Sequence, residues 1–232
     1  MSKSIAKTPG KDIRTLGYVL RRTNYGEADR ILNIITPEGK ITAIAKSVRK
    51  AKSKLAGSVE MFSLIEFNVH SGKSEFCIVT GAKMLKYYDK LLKDYTKIEL
   101  MGVILKKISQ LAEDSNDGSY FEIVNQCMEE LNDGTSNELV EAWFWLNIVK
   151  TMGEEVNLYR DVNGEKLKTD ERYEWDVGQT AFYEKENGEY GTDEIKMLRI
   201  LSTNKLGIVK KVKLPDGFMQ RILDFVRVAT RM

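Results

Sequence analysis

The chain has 232 residues, 42% of them apolar and 30% charged, with 36 Lys and Arg against 34 Asp and Glu. This is the composition of a globular protein with its own core, which excludes a disordered or fibrous chain. No apolar run reaches the roughly 18 residues that cross a bilayer; Met1–Lys7 lacks the apolar stretch of a secretory signal, and Cys77 and Cys127 alone make no disulfide framework, so a reducing cytoplasm is the expected setting.

The first ninety residues alternate as strands do. Ile13–Leu20 predicts a first strand, with Ile13 and Thr15 on one face and Leu16, Tyr18 and Leu20 on the other. Arg30–Thr36 predicts a second. Thr36-Pro37-Glu38-Gly39 has Pro at the second position and Gly at the fourth, the pattern of a type I turn, and hands over to a third strand, Lys40–Ala45. Phe62–Val69 and Phe76–Thr80 predict two more, joined by a hairpin loop at Ser71-Gly72-Lys73. Five short strands with one long excursion between the third and the fourth fit a small five-stranded barrel. The oligonucleotide-binding OB barrel is the best-known of these, and another small β-barrel or sandwich is the alternative.

From Asp89 the period lengthens. Leu91, Tyr95, Ile98, Met101, Leu105, Ile108 and Leu111 recur every three or four residues and predict one long helix. Ser119 and Glu122 have capping-box spacing ahead of Val124, Cys127, Met128 and Leu131. Ser136 opens a third helix whose Leu139, Val140, Trp143, Phe144, Leu146 and Ile148 leave little polar face, which places it at the centre of a helical domain. Residues 154–191 are acidic and glycine-punctuated yet aromatic (Tyr159, Tyr173, Trp175, Phe182, Tyr183, Tyr190), the composition of a small β-rich insert rather than a disordered linker. Short helices around Ile195–Leu201 and Met219–Val226 follow. The expected class is α+β: a five-stranded OB-type barrel in residues 1–85, then a helical domain in 86–232 that carries the insert.

Charge divides the chain along the same line. Residues 1–90 hold 17 basic and 8 acidic side chains, and residues 91–232 hold 19 and 26. Within the first part, Gly39–Val59 has no Asp or Glu but carries Lys40, Lys46, Arg49, Lys50, Lys52 and Lys54. A flexible loop of such residues can follow a phosphate backbone and release its counterions, giving affinity without base specificity. Arg21 and Arg22 at the end of the first strand and Arg30 at the start of the second extend the expected surface. Tyr18, Tyr25, Phe62 and Phe76 are the candidates for base stacking.

Catalytic and metal chemistry find little to work with. A structural zinc takes about four Cys or His ligands, and the chain offers His70, Cys77 and Cys127. No P-loop, nucleophile elbow or zinc-protease motif is present. Glu27 and Asp29, beside Arg30 and ahead of a strand, suit a turn held by ion pairs better than an acid–base pair. No enzyme activity and no cofactor are expected.

The segment Tyr25-Gly26-Glu27-Ala28-Asp29-Arg30-Ile31-Leu32 is followed by Thr36-Pro37-Glu38-Gly39-Lys40 and by Ala45-Lys46-Ser47-Val48-Arg49-Lys50 with Lys52-Ser53-Lys54. Together they resemble the RecO family, whose pattern is Tyr-Gly-Glu-x-Asp-Arg-Ile-Leu, then Thr-x-x-x-Gly, then Ala-Lys-Gly and a basic run. Gly57–Phe62 and Thr80-Gly81-Ala82 are similar to that family's following strands. The resemblance is specific over about residues 13–85 and general, as a helical domain of similar length, beyond them. It implies a non-catalytic mediator of recombinational repair, cytoplasmic and nucleoid-associated, that binds single- and double-stranded DNA and anneals complementary strands. The family's partners would be RecR and single-strand-binding protein, and RecA indirectly, through its loading onto DNA; no membrane is involved. Carried over by position, the DNA contacts are Arg21, Arg22, Arg30, Lys46, Arg49, Lys50, Lys52 and Lys54. Phosphate binding alone leaves an RNA-binding OB protein of translation or ribosome assembly as the alternative. Two positions depart from the family. Ser47 stands where the pattern has glycine, and the four-cysteine zinc element of many members corresponds here to Leu158–Gly164 and Trp175–Phe182, with no Cys. The insert's aromatics are expected to replace the metal as its folding nucleus.

Overall fold

The computed structural model describes residues 10–72, 76–112 and 118–231. Met1–Lys7 and Lys73 of the expected hairpin loop lie outside the described residues. The chain divides into two compact units at Asp133–Gly134.

The first unit is built on five strands: β1 (Lys11–Tyr25), β2 (Asp29–Thr36), β3 (Gly39–Ala45), β4 (Ser63–Ser71) and β5 (Cys77–Tyr87). They close into a barrel in the order β1-β2-β3-β5-β4, which is the OB arrangement, with one parallel pairing where β3 meets β5 at Ala43–Cys77 and Ile44–Ile78. Closure depends on the length of β1. Its first half, Lys11 to Gly17, pairs with β4, and its second half, Tyr18 to Tyr25, pairs with β2. Between them the strand must bend. A register shift between Val19 and Arg21 supplies an irregularity there, and Gly17 gives the room, since a Cβ at that point would lie 2.6 Å from the Ile34 Cγ2. The interior is filled by alternate residues of the strands: Val19, Leu32, Ile34, Ile41, Ala43, Ile65, Phe67, Val69, Cys77 and Val79.

The other face of β1 is also covered. The expected single helix is broken at Asp94, after a 3-10 turn at Leu91–Lys93; α1 (Tyr95–Leu111) starts afresh there, with the Asp94 carboxylate accepting from the Thr96 amide at 3.0 Å. The Thr96 hydroxyl, and after it that backbone cap, hold the Asp94 carboxyl below the usual carboxylate range. α2 (Ser119–Asn132) has Gly118 at its N-cap, so Ser119 stands inside the helix rather than at the cap position expected of it. Gly118 packs on the β2–β3 turn, where any Cβ would overlap the Pro37 carbonyl oxygen. Tyr18 is fully buried against this layer, with its ring on Phe121 and its hydroxyl donating to Asn125 Oδ1 at 2.7 Å. The Tyr88 hydroxyl lies 2.9 Å away and donates to Glu129 Oε1. Burial pushes the titration of both phenols well up. The change from strands to helices, near residue 87, is thus distinct from the boundary of the compact unit at Asp133.

The second unit is centred on α3 (Asn137–Thr151), capped by the Ser136 hydroxyl and buried over most of its circumference. α4 (Thr192–Thr203) and α6 (Phe218–Ala229) pack on it, and a single turn, α5 (Leu206–Val209), lies between those two in sequence. The insert contains a two-stranded sheet, β6 (Tyr173–Asp176) with β7 (Ala181–Glu184). Its aromatics gather on α6: Phe182 stacks on Phe225 at 5.4 Å, and Trp175 meets both rings edge-on at 5.0 and 5.1 Å. Two turns are closed by carboxylates. Asp161 Oδ1 accepts from the Asn163 and Glu165 amides, and Asp176 Oδ1 from the Gly178 and Gln179 amides. The Val162 amide donates to the Phe182 carbonyl at 2.8 Å and ties the first turn to the sheet. Among the described residues no helix is long and apolar enough to cross a membrane.

Candidate nucleic-acid interface

The strand period decides which residues of β1, β2 and β3 look outward. Arg21 lies opposite Asn33, Thr23 opposite Ile31 and Tyr25 opposite Asp29. On the next ladder Asn33 lies opposite Thr42 and Ile31 opposite Ile44. Since cross-strand neighbours share a face, Arg21, Thr23, Tyr25, Ile31, Asn33, Thr42 and Ile44 form one outward sheet surface. None of them is buried. This is the face of β2 and β3 that OB barrels use for oligonucleotides.

The basic segment follows β3 and runs beside this face, but it is not the flexible loop that its composition suggests. Val48 and Val59 are buried in the barrel core, with Leu55 and Met61 packed against it, so the excursion closes the barrel's end. Its backbone is clamped to the β1–β2 turn. The Ser47 amide donates to Asp29 Oδ1 at 2.6 Å, and the Arg49 amide donates to the Ala28 carbonyl at 2.9 Å. The Arg49 guanidinium reaches the Gly26 carbonyl at 3.3 Å. The Tyr25–Arg30 motif and the basic run are therefore two halves of one structure. Asp29 is the clamp that joins them, from the first position of β2 and through a backbone amide rather than the ion pair expected of it.

Ser47 has φ +54°, the left-handed region that favours glycine. The glycine of the related pattern thus has a backbone reason. Ser47→Gly is expected to raise stability by about 0.5–1 kcal/mol, the left-handed penalty less the chain entropy of glycine. A urea titration would read this as a higher midpoint at unchanged slope, and a lower midpoint would contradict it.

The predicted contacts do not all come together. Arg30 lies opposite Ala45, next to Lys46, and its Nε donates to Asn24 Oδ1 at 3.4 Å. By the strand period Arg30 stands with Asn24 and Ala45 on the opposite side of the sheet from Arg21 and Tyr25, whereas Lys46 and Arg49 flank the clamp at Ser47 and Lys50, Lys52 and Lys54 continue along the segment. Arg49 and all four lysines are exposed, and with Arg21 and Arg30 they make no ion pair among the described residues. Arg21 and Arg22 point to opposite sides of β1. Arg21 stands on the outward face, whereas Arg22 is paired with Glu60 at 2.6 Å and largely neutralised. Lys40, also in the acid-free span, donates to the Ser109 carbonyl of α1 at 2.9 Å.

Of the aromatics, Tyr25 is 52% exposed on the outward face. Tyr18 is no stacking platform, because the helical layer buries it completely; Phe62 and Phe76 are partly buried. The sequence reading missed Thr23, Ile31, Asn33, Thr42 and Ile44. Alternation was the available signal, but Ile31-Leu32 and Ile34-Ile35 are apolar on both faces. Among the described residues no three His, Cys, Asp or Glu side chains gather as metal ligands. Both thiols are buried, which pushes their titration up. His70 Nδ1 lies 2.7 Å from Asp12 Oδ1. The arrangement presents fixed positive charge and one accessible ring, chemistry suited to a phosphate backbone with an occasional stacked base.

The family model described as Recombination protein O N terminal matches residues 11–88, the whole barrel and the residue that follows it. Over 97% of its length the chain is 28% identical to a protein named DNA repair protein RecO from Dehalococcoides mccartyi, of which it spans 91%. It is 33% identical over 45% of its length to the protein of that name from Bifidobacterium longum, spanning 44% of it. With its counterpart from Alkaliphilus metalliredigens the identity is 34% over 44% of the chain, spanning 42% of that protein.

Proposed function

We propose that this chain, which belongs to the RecO family, is a non-catalytic DNA-binding mediator of recombinational repair in the cytoplasm. It binds single- and double-stranded DNA and anneals complementary strands. With RecR it helps load RecA onto DNA covered by single-strand-binding protein. The observation that carries this reading is the clamped basic segment beside the OB ligand face, made from the residues of the family pattern.

The clamp matters physically. A backbone already fixed by Val48, Asp29 and the Arg49 amide loses little conformational freedom when a strand arrives, so less of the interaction energy is consumed in ordering. The lysine side chains remain free to adapt to the phosphates of any sequence. Annealing requires two mutually repelling backbones to approach, and neutralising one of them lowers that barrier.

The test is annealing of complementary strands coated with single-strand-binding protein, with and without RecR, beside matched RNA strands. The expected result is faster annealing of coated DNA in the presence of the chain, RecR modulating the rate. Equal or tighter action on RNA, with none on coated DNA, would favour the alternative of an RNA-binding OB protein.

A further inference from the structure

Charge is sorted a second time, far from the barrel in sequence. Residues 134–194 hold 15 acidic and 6 basic side chains, but Ile195–Pro215 has no Asp or Glu and carries Lys196, Arg199, Lys205, Lys210, Lys211 and Lys213. This span is as long, as basic and as free of acid as Gly39–Val59 in the barrel. The averaged negative charge of residues 91–232 conceals it.

The fold displays these lysines. Ile195, Leu198, Leu206 and Val209 are buried and fix α4 and α5, and Lys196, Lys205, Lys210, Lys211 and Lys213 are all exposed. Lys205 and Lys210 flank α5 at its two ends. Lys196 and Lys213 line one groove of about 320 Å³. Lys196, Lys211 and Lys213 make no ion pair among the described residues. Arg199 is otherwise engaged, since it lies 4.8 Å over the Tyr159 ring and donates to the Leu158 carbonyl.

We propose that this lysine cluster is a second polyphosphate-binding surface that takes a nucleic-acid backbone independently of the barrel. The inference rests on the reading of the chain as a nucleic-acid-binding protein. Ile195–Pro215 contains no aromatic residue, and Phe218, which also lines the groove, is buried, so the surface offers no open ring for base stacking and its contacts are with phosphates, indifferent to sequence. Asp193 also lines the groove between Lys196 and Lys213, whereas Lys205, Lys210 and Lys211 stand outside that lining; a carboxylate-rich peptide would meet the same lysines, and the test separates the two. Two surfaces on one chain would let it hold two strands, which is what annealing requires.

The test counts strands. Full-length chain is titrated at low salt with fluorescein-labelled oligo(dT) of about a dozen nucleotides, within the range one OB fold covers. The chain is expected to bind two such strands. Lys196→Glu, Lys211→Glu and Lys213→Glu together should leave one, as should Arg49→Glu, Lys50→Glu and Lys52→Glu, and all six should leave none. The lysine sites are exposed, so an unchanged Tm checks folding, and the triple Gln variant should weaken the same site without adding repulsion. Unchanged stoichiometry and affinity in the Lys196/Lys211/Lys213 variant would overturn the proposal. So would a variant that binds DNA normally but loses an acidic peptide held by the unaltered chain. A barrel variant that keeps both strands, beside a lysine variant that loses one, would sink the barrel reading and leave this surface standing.

Discussion

Reversing Arg49, Lys50 and Lys52 together to Glu is expected to weaken single-stranded DNA binding at the barrel roughly a hundredfold, equally for all sequences. The unaltered site, with about four to six phosphates held, should give a log-affinity against log-salt slope of roughly −3 to −4 on single strands, and the loss of three contacts should flatten it by about 2. Measuring this in the Lys196/Lys211/Lys213 variant keeps the second surface from masking the effect. The fold should survive, because the buried Val48 and the Arg49 backbone amide, which hold the segment, are untouched. A loss confined to particular sequences would contradict the account, and so would a slope that stays flat with salt before and after the change.

Phe182→Ala is expected to cost about 3–5 kcal/mol in the second unit. Phe182 is fully buried and touches Tyr173, Trp175, Tyr190 and Phe225 at once. At several degrees of Tm per kcal/mol for a unit of this size, the shift should exceed about 10 °C. Trp175, in edge contact with Phe182, gives the change a fluorescence signal of its own. The aromatic cluster and the two aspartate-closed turns occupy Leu158–Gly164 and Trp175–Phe182, the segments in which the sequence resemblance leads one to expect a zinc element. If they replace the metal as the folding nucleus, a chelator should leave the Tm of the unaltered chain unchanged. Stoichiometric zinc by elemental analysis, or a Phe182→Ala cost below about 1 kcal/mol, would contradict this.

What the sequence disclosed and what it withheld follow from how local each feature is. The strands were legible because alternation and the Thr36–Gly39 turn are short-range signals. β1 and β5 run further than expected because their polar ends pair with neighbours that alternation cannot reveal. Tyr18 was misread as a stacking ring because its cover comes from Tyr88, Phe121 and Asn125, which are 70 to 107 residues away. Gly118, not Ser119, stands at the helix cap, and its approach to the Pro37 carbonyl is a long-range contact of the same kind. The clamp between Asp29 and Ser47 was hidden as well, although the motif and the basic run were both recognised. Composition foretold a flexible loop, and the buried Val48 and Val59 within it, two apolar residues among lysines, were the overlooked sign. The opposite orientation of Arg21 and Arg22 needed only the strand period.

The measurement that tests the central claim most directly is photocrosslinking of the chain to single-stranded DNA carrying a photoreactive thymine analogue, with the attachment sites mapped by mass spectrometry. The account predicts crosslinks at Tyr25 and in peptides covering residues 46–54. DNA bound tightly with no crosslink anywhere in residues 11–88 would contradict it.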